Sequence, residues 1–400
     1  MKVFQINSVP YGSTAKIMLG ISKVLSEKKI ENMVSSGYSY HPIEMPENHI
    51  KIGSAFSKVL HILLSRITGF HGCFSYFSTL CLLKKIKKFG ADTIHLHNLH
   101  GWYINLPLLF KFIKKNNLKV IWTLHDCWAF TGHCPHYDMV GCEKWKTECQ
   151  NCSQHKSYPK TIFDCSKKMF KLKKNWFLGV RDLTIVTPSF WLAEQVKRSF
   201  LKDYPIKVIN NGIDLSVFKP QNSNFREKHN LQEKFIILGV AFDWGVKKGL
   251  DAFIELSKRL DDGFKIVLVG TNSAIDKSLP ENILSIHRTQ NPKELAEIYT
   301  ASNIFFNPTR EEVLGLVNLE ALACGTPVVT FNSGGSPECI DESCGIIVQK
   351  DDIEASVDAI LKIKASPFTK EVCIKQASKF SQANKFEEYV NLYKKLSEND

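Results

Sequence analysis

The chain has 400 residues, of which 44% are hydrophobic and 23% charged, the balance of an ordinary globular protein of roughly two or three domains. No apolar run approaches the roughly 20 residues that cross a bilayer, which excludes an integral membrane helix as the reading. The net charge of +12 sits in one half: residues 1–200 carry 28 Lys and Arg against 12 Asp and Glu, and residues 201–400 carry 24 against 28. A basic half attracts polyanions, whether nucleic acid, anionic head groups or phosphorylated substrates.

The N-terminus MKVFQINSV enters a strand over residues 2–7 with no signal-peptide pattern, so a cytoplasmic protein is expected. Val9 to Thr14 is a turn and residues 15–25 a helix. Gly12 in that turn leaves backbone N–H groups at a positive helix end, a place for a phosphate or a sugar hydroxyl, although a plain turn capped by Ser13 or Thr14 explains it as well. Met33-Val34-Ser35 reads as a strand, followed by an irregular loop to residue 50. Residues 53–77 are apolar and aromatic, including Phe56, Leu60, Leu63, Leu64, Phe70, Phe74, Tyr76 and Phe77. That composition ordinarily means core, and otherwise an acceptor cleft or a lipid contact.

Strands are expected over residues 93–97 and 120–124. His97, His100 and His125 fall at or near their C-terminal ends, where ligands of parallel sheets bind, with Trp102 in the polar-aromatic loop between. Asp126 would orient His125. Three basic runs, at residues 84–88, 111–115 and 167–174, mix lysine with large apolar residues as an interfacial helix does, or are simply solvated faces.

Twelve cysteines in a cytoplasmic chain argue against a disulfide framework. Cys73, Cys81, Cys165, Cys339, Cys344 and Cys373 are isolated and read as small buried apolar residues. Cys134, Cys142, Cys149 and Cys152 are clustered in HCPHYDMVGCEKWKTECQNC. Their spacing suits a structural Zn²⁺ held by four thiolates, with an iron–sulfur cluster or free thiols as alternatives.

Further strands are expected over residues 183–189, 206–209, 235–240, 264–270 and 283–286, with helices over 191–200, 250–260 and 292–300. Gly212 in NNGID supplies a positive φ and Asp214 caps the turn, with a domain boundary near residues 215–225. Residues 303–330, NIFFNPTREEVLGLVNLEALACGTPVVT, form a strand–loop–helix–strand crossover, which implies a parallel sheet. Glu312 in its loop and Glu320 on its helix lie on the ligand-binding side, although on spacing alone two unrelated surface glutamates explain the pair as well. Residues 376–396 read as a last, aromatic helix. There is no GxGxxG, which argues against a nicotinamide enzyme.

Glu312-x7-Glu320 within EVLGLVNLEALACGTPVV closely resembles the signature of the retaining glycosyltransferases of family 4, and INNGIDLSVFKP resembles that family's strand-to-hinge segment. The resemblance implies an α/β GT-B fold: two Rossmann-like parallel-sheet domains facing a cleft, with a C-terminal helix crossing back to the first. The domains would be residues 1–217, acceptor-side, with a Cys-rich insert at 131–158; residues 218–378, binding the nucleotide sugar; and residues 379–400, the crossover helix. It further implies a nucleotide-diphosphate sugar donor, UDP- or GDP-linked, and a glycan or lipid-linked acceptor in cell-surface polysaccharide synthesis. Configuration would be retained and no Mg²⁺ required.

Residue by residue, the resemblance gives Glu312 the donor sugar, Glu320 the ribose, His125 the sugar and Lys248 the departing diphosphate. Gly12, Lys247, Arg288, Gly315, Leu316 and Val317 fall on the donor side; His97, His100 and Trp102 fall on the acceptor side. The family's diphosphate-clamping arginine is missing, since Ala241 stands in its place, and Lys247 cannot imitate a bidentate fork. The Cys-rich insert resembles that of a subgroup associated with surface polysaccharides. A peripheral contact with anionic membrane at the inner face of the cell membrane would suit the basic half, and no nucleic-acid partner is expected. The rival readings are a GT-B nucleotide-sugar epimerase and a zinc-stapled nucleic-acid-binding protein.

Overall fold

A computed structural model describes residues 1–40 and 43–398. His41 and Pro42, in the expected irregular loop, lie outside the described residues, as do Asn399 and Asp400 at the end of the expected last helix. The chain divides into two compact units. One is Met1–Ile209 together with the chain from Phe386 on, and the other is Asn210–Lys385.

The first unit is a seven-stranded, wholly parallel sheet of β1 (Lys2–Asn7), β2 (Glu31–Gly37), β3 (His49–Ile52), β4 (Thr93–Leu96), β5 (Lys119–Thr123), β6 (Leu183–Thr187) and β7 (Ile206–Val208), in the order β3-β2-β1-β4-β5-β6-β7. The order reverses direction between β1 and β4. Beyond the carboxyl ends of those strands lies the crevice where open α/β sheets hold ligands. One core cluster joins Val3, Ile121 and Val186 of the sheet to Ile17 and Ile21 of the helix Gly12–Glu27. The same cluster contains Phe386, Tyr389, Val390 and Tyr393 of the last helix, Gln382–Glu398. That helix is therefore part of this unit's core.

The second unit is a six-stranded parallel sheet of β8 (Phe235–Val240), β9 (Phe264–Val269), β10 (Ile283–Ile286), β11 (Ile304–Asn307), β12 (Val328–Phe331) and β13 (Gly345–Val348), in the order β10-β9-β8-β11-β12-β13. Its strands are near-continuous apolar runs because helices cover both faces, with one core cluster on each side of the sheet. Here the reversal falls between β8 and β11.

Several expectations change. β3 replaces the end of the expected loop, and β13 and the helices Ile353–Ala365 and Lys370–Ser378 were not foreseen. The expected helix over residues 376–396 is two helices broken at residues 379–381. Gly212 is needed for a different reason than positive φ, which it does not adopt: a Cβ there would stand 2.3 Å from the Gln382 Cα. Asp214 does cap its turn, accepting from the Ser216 backbone N–H at 2.9 Å. The stretch 53–77 is not simply core. It forms the helix Ala55–Thr68, whose apolar residues largely face solvent.

Candidate active site

In the second unit the site is built at the reversal of strand order. The loop after β8 turns through a short 3₁₀ segment, Val246–Lys248, and is anchored by buried Trp244, whose indole N–H donates to the Val269 carbonyl at 3.0 Å. It closes on Gly249, at φ +73°, where a Cβ would lie 2.4 Å from the Pro308 carbonyl oxygen. The loop after β11 runs past Thr309 to Gly315. Two ion pairs tie the loops together: Lys247 Nζ to Glu311 at 2.7 Å and Lys248 Nζ to Glu312 at 2.8 Å. The structure thus brings together Lys248 and Glu312, which are 64 residues apart in sequence.

The two pairs differ in kind. The Glu311 side chain is 3% exposed and its Lys247 partner 55%, so this pair closes the base of the loops. Glu312 and Lys248 are 23% and 37% exposed and remain accessible. Glu312 also accepts the Val313 backbone N–H at 3.1 Å, which orients its carboxylate. Glu311 was missed at the sequence level, although the Glu311-Glu312 doublet could have flagged it.

Arg310, one residue earlier, cannot stand in for the missing family arginine. Its guanidinium donates to Asp251 at 2.8 and 2.9 Å and to Asp351 at 2.6 Å, and these carboxylates raise its pKa further above its already high value. Arg310 is a brace for the loop.

Gly315, at φ +85°, opens the helix Leu316–Ala323. Leu316, Val317 and Glu320 lie on its half-buried edge while Leu319, Leu322 and Ala323 fill the core. Glu320 accepts from the Tyr299 hydroxyl at 3.3 Å. Burial, with Glu320 beside it, pushes the Tyr299 hydroxyl well above its usual pKa, so it stays a donor. Asn318 holds the turn by donating to the Ser336 hydroxyl at 2.9 Å. Arg288 is exposed after β10, next to His287, whose ring pairs with Asp276 at 2.6 Å.

The backbone under Glu312 is fixed by the Ser333-Gly334-Gly335 turn. The Gly335 N–H donates to the Glu312 carbonyl at 3.1 Å, and a Cβ on Gly334 would fall 1.7 Å from the same oxygen, at φ +56°. Replacing Gly334 with alanine is expected to cost roughly 3 kcal/mol of stability and to displace Glu312. Urea unfolding beside turnover tests it. A variant as stable and active as the parent would show that the turn has slack.

The first unit has a histidine array of its own at the carboxyl ends of β1, β4 and β5. The Met18 carbonyl can only accept, so Gln5 must donate its Nε2–H to it, at 3.2 Å, leaving Gln5 Oε1 to accept from His97 Nε2–H at 3.1 Å. Neutral His97 then has a lone pair on Nδ1, which accepts from His125 Nε2–H at 3.1 Å. Burial lowers the His97 pKa well below its usual value and that of His125 to about 4, so both rings are neutral near pH 7. One backbone carbonyl therefore sets the tautomer of His125, whose Nδ1 is the unprotonated nitrogen. Gln5 was missed at the sequence level. A polar residue inside the apolar strand KVFQIN was its only signal.

Asp126 does not orient His125. It accepts from His100 Nε2–H at 2.7 Å and from the Trp128 N–H at 2.9 Å. Burial alone would raise the Asp126 pKa, but the His100 ring holds it down at about 2. His100 also bonds the Tyr158 hydroxyl at 2.8 Å, and Trp102, at φ +63°, packs edge-on against the Tyr158 ring. Gly12 sits at φ +80° as the first residue of its helix, with open space where a Cβ would be.

The four clustered cysteines line one small cavity with Thr131, His133, Tyr137 and Trp145. Yet among the described residues no group of three or more His, Cys, Asp or Glu is arranged to hold a metal ion, so the expected zinc centre is not supported. Cys149 Sγ accepts the Gly132 N–H at 3.2 Å, and all four cysteines are free of disulfides. Aromatic packing holds the insert instead, with Tyr137 stacked on Trp145 at 4.8 Å. Lys173, in a run read as an interfacial helix or a solvated face, is wholly buried beneath it and donates to the Trp128 and Thr131 carbonyls at 2.7 and 3.0 Å. Cys81, read as buried, is exposed.

Residues 57–217 match the family Glycosyltransferase Family 4, and residues 221–380 match Glycosyl transferases group 1. The chain belongs to the family 4 glycosyltransferases. Among curated family members, the putative colanic acid biosynthesis glycosyl transferase WcaC of Escherichia coli K12 is 25% identical over 319 residues, covering 77% of each chain. An uncharacterized 41.2 kDa protein in the cps region of Klebsiella pneumoniae is 27% identical over 79% of this chain and 82% of its own. Among solved structures, the sucrose-phosphate synthase of Thermosynechococcus elongatus matches over the full length of both chains, with a TM-score of 0.74 and 16% identity. Anabaena HepE in complex with UDP matches with a TM-score of 0.68 and 14% identity over 99% of this chain and all of its own. The fold of this glycosyltransferase is the GT-B fold.

Proposed function

We propose that this glycosyltransferase moves a sugar, with retention of anomeric configuration, from a UDP- or GDP-sugar to a glycan or lipid-linked acceptor in the synthesis of a cell-surface polysaccharide. The observation that carries the reading is the Lys248–Glu312 pair, 2.8 Å apart and accessible, at the reversal of strand order in the second unit. Lys248 offers a cation to the departing diphosphate. Glu312 offers a fixed negative charge to the oxocarbenium-like sugar as the glycosidic bond to phosphate breaks. The backbone at the start of the helix Leu316–Ala323 faces a phosphate with its positive end, and Glu320, on the same helix edge, takes the ribose hydroxyls. In the first unit, His125 Nδ1 is the acceptor for a donor-sugar hydroxyl, held by the Gln5–His97 relay. His100 and Trp102 fall to the acceptor side.

The names of the relatives support the setting: colanic acid biosynthesis for WcaC and the cps region for the Klebsiella protein. HepE was solved with UDP and with UDP-glucose, which supports a nucleotide-sugar donor. A peripheral contact with anionic membrane belongs to the same reading, because a lipid-linked acceptor lies at such a surface.

Binding and turnover of UDP-, GDP- and ADP-sugars by the parent and by Glu320→Ala test the reading. One nucleotide diphosphate class is expected to bind, about 10- to 100-fold more weakly in the variant, the worth of a hydrogen bond to a charged group. Equal affinity in both proteins would remove Glu320 from the ribose, and no binding of any of the three would overturn the function.

A further inference from the structure

The helix Ala55–Thr68 in the first unit is inside out. Its fully buried side chains are polar, His61 and Ser65, and among the described residues the buried His61 Nε2 and Ser65 Oγ have no hydrogen-bond partner. Its exposed apolar side chains are Phe56, Val59, Leu60, Leu63 and Ile67. They recur at i, i+3, i+4, i+7 and i+11, one continuous stripe along the helix. Phe56 is 77% exposed and, at the start of the following helix Tyr76–Phe89, Phe77 is 80% exposed. Beside them a cavity of about 310 Å³ opens between Ile50, Ser54, Phe77, Cys81 and Lys85. An ordinary helix turns such a stripe inward, and a contiguous exposed apolar patch marks an interaction surface.

Charge decides what covers it. Between Glu47 and Asp92 the sequence has no acidic residue and seven basic ones, among them Arg66 on this helix and Lys84, Lys85 and Lys88 on the next. A second copy of the same face would bring like charges together across a two-fold contact. A nucleic acid would answer the lysines but not the phenylalanine and leucine stripe. An anionic bilayer answers both, taking the apolar side chains to the depth of the acyl boundary and the lysines to its head groups. Among the described residues no helix is long and apolar enough to cross a membrane, so the contact is a peripheral one.

We propose that the exposed face of the helices Ala55–Thr68 and Tyr76–Phe89 docks on an anionic phospholipid bilayer. The proposal deepens the functional reading above by naming the surface on which a lipid-linked acceptor is met. Its test uses no sugar, nucleotide or acceptor, so its failure is read separately from failure of that reading.

The whole chain is floated with phosphatidylcholine vesicles and with vesicles containing phosphatidylglycerol, beside the variant Leu60→Gln/Leu63→Gln. Both positions are exposed, and circular dichroism and a melting curve confirm that the variant is folded. The parent is expected to float with the anionic vesicles alone. Its binding should fall in about 0.5 M salt, where screening shortens to a few ångströms. The double variant should partition at least about tenfold more weakly. A parent that stays in solution with anionic vesicles overturns the proposal, as does a variant that floats equally well. A dimer that the variant dissociates, without vesicle binding, would assign the face to a second copy.

Discussion

Replacing Lys248 with alanine is expected to lower turnover by about 10²- to 10³-fold, the usual effect of removing one preorganised charge from a developing anion. The folded state is expected to change little, because Lys248 is 37% exposed and Glu312 23% exposed, and a pair in that setting is worth little to stability. Lys247→Ala should behave in the opposite way. Its partner Glu311 is almost wholly buried, so the substitution takes a cation from a carboxylate that water cannot reach, and the loss should appear in the unfolding curve before it appears in turnover. Lys248→Arg keeps the charge but enlarges the group, and should retain part of the activity. Glu312→Ala combined with Lys248→Ala should lose less than the two losses multiplied, since the residues act on one transferring group. A Lys248→Ala enzyme within about threefold of the parent would take the diphosphate away from this lysine.

These contrasts rest on a geometry that the sequence shows only in part. The unit β11, Leu316–Ala323, β12 was legible almost to the residue. An apolar run, a glycine entry, a helical stripe and a Gly-Thr-Pro exit all demand the same local structure. Lys248 and Glu312 were each legible as candidates, but their pairing is a consequence of strand order, and no local pattern carries it. The histidine relay fails for the same reason, because Gln5 in β1, His97 just after β4 and His125 just after β5 meet only once the three strands are laid side by side. Gly212 was found with the wrong cause: the sequence shows that a glycine is required there, but not that Gln382 packs against it.

The cysteine spacing and the apolar stretch 53–77 fail differently. Spacing puts four thiols near one another, and they do line one cavity. It does not aim their sulfurs, and it is silent about the Gly132 N–H that engages one of them. Composition marks residues 53–77 as apolar, yet period 3.6 leaves open which side of the helix faces in. The polar residues His61 and Ser65 face in, an arrangement that burial rules alone would reverse.

Acid is expected to unfold the first unit between about pH 6 and pH 4, well before ordinary carboxylates titrate in number. Burial lowers the pKa of His125 to about 4, of His133 to about 4, of His95 to about 3 and of His61 to about 3, and puts that of His97 well below its usual value. In the unfolded chain each ring takes a proton near pH 6.5. Between that pH and the folded value the unfolded state holds more protons, so stability falls as pH falls through this window and is fully present only above it. His125 alone accounts for roughly 3 kcal/mol, and a domain has only about 5–15 kcal/mol in all. Asp126 adds to the trend at lower pH: held at about 2, it loses its contribution below its unfolded value of 3.8. Urea midpoints measured from pH 7.5 to pH 5 should therefore drop steeply, and His61→Leu should flatten the slope, since it deletes one such ring, whose Nε2 has no partner among the described residues and whose Nδ1 bonds the Ser75 hydroxyl at 2.7 Å. A midpoint unchanged across that range would mean that the buried rings reach water before the chain unfolds.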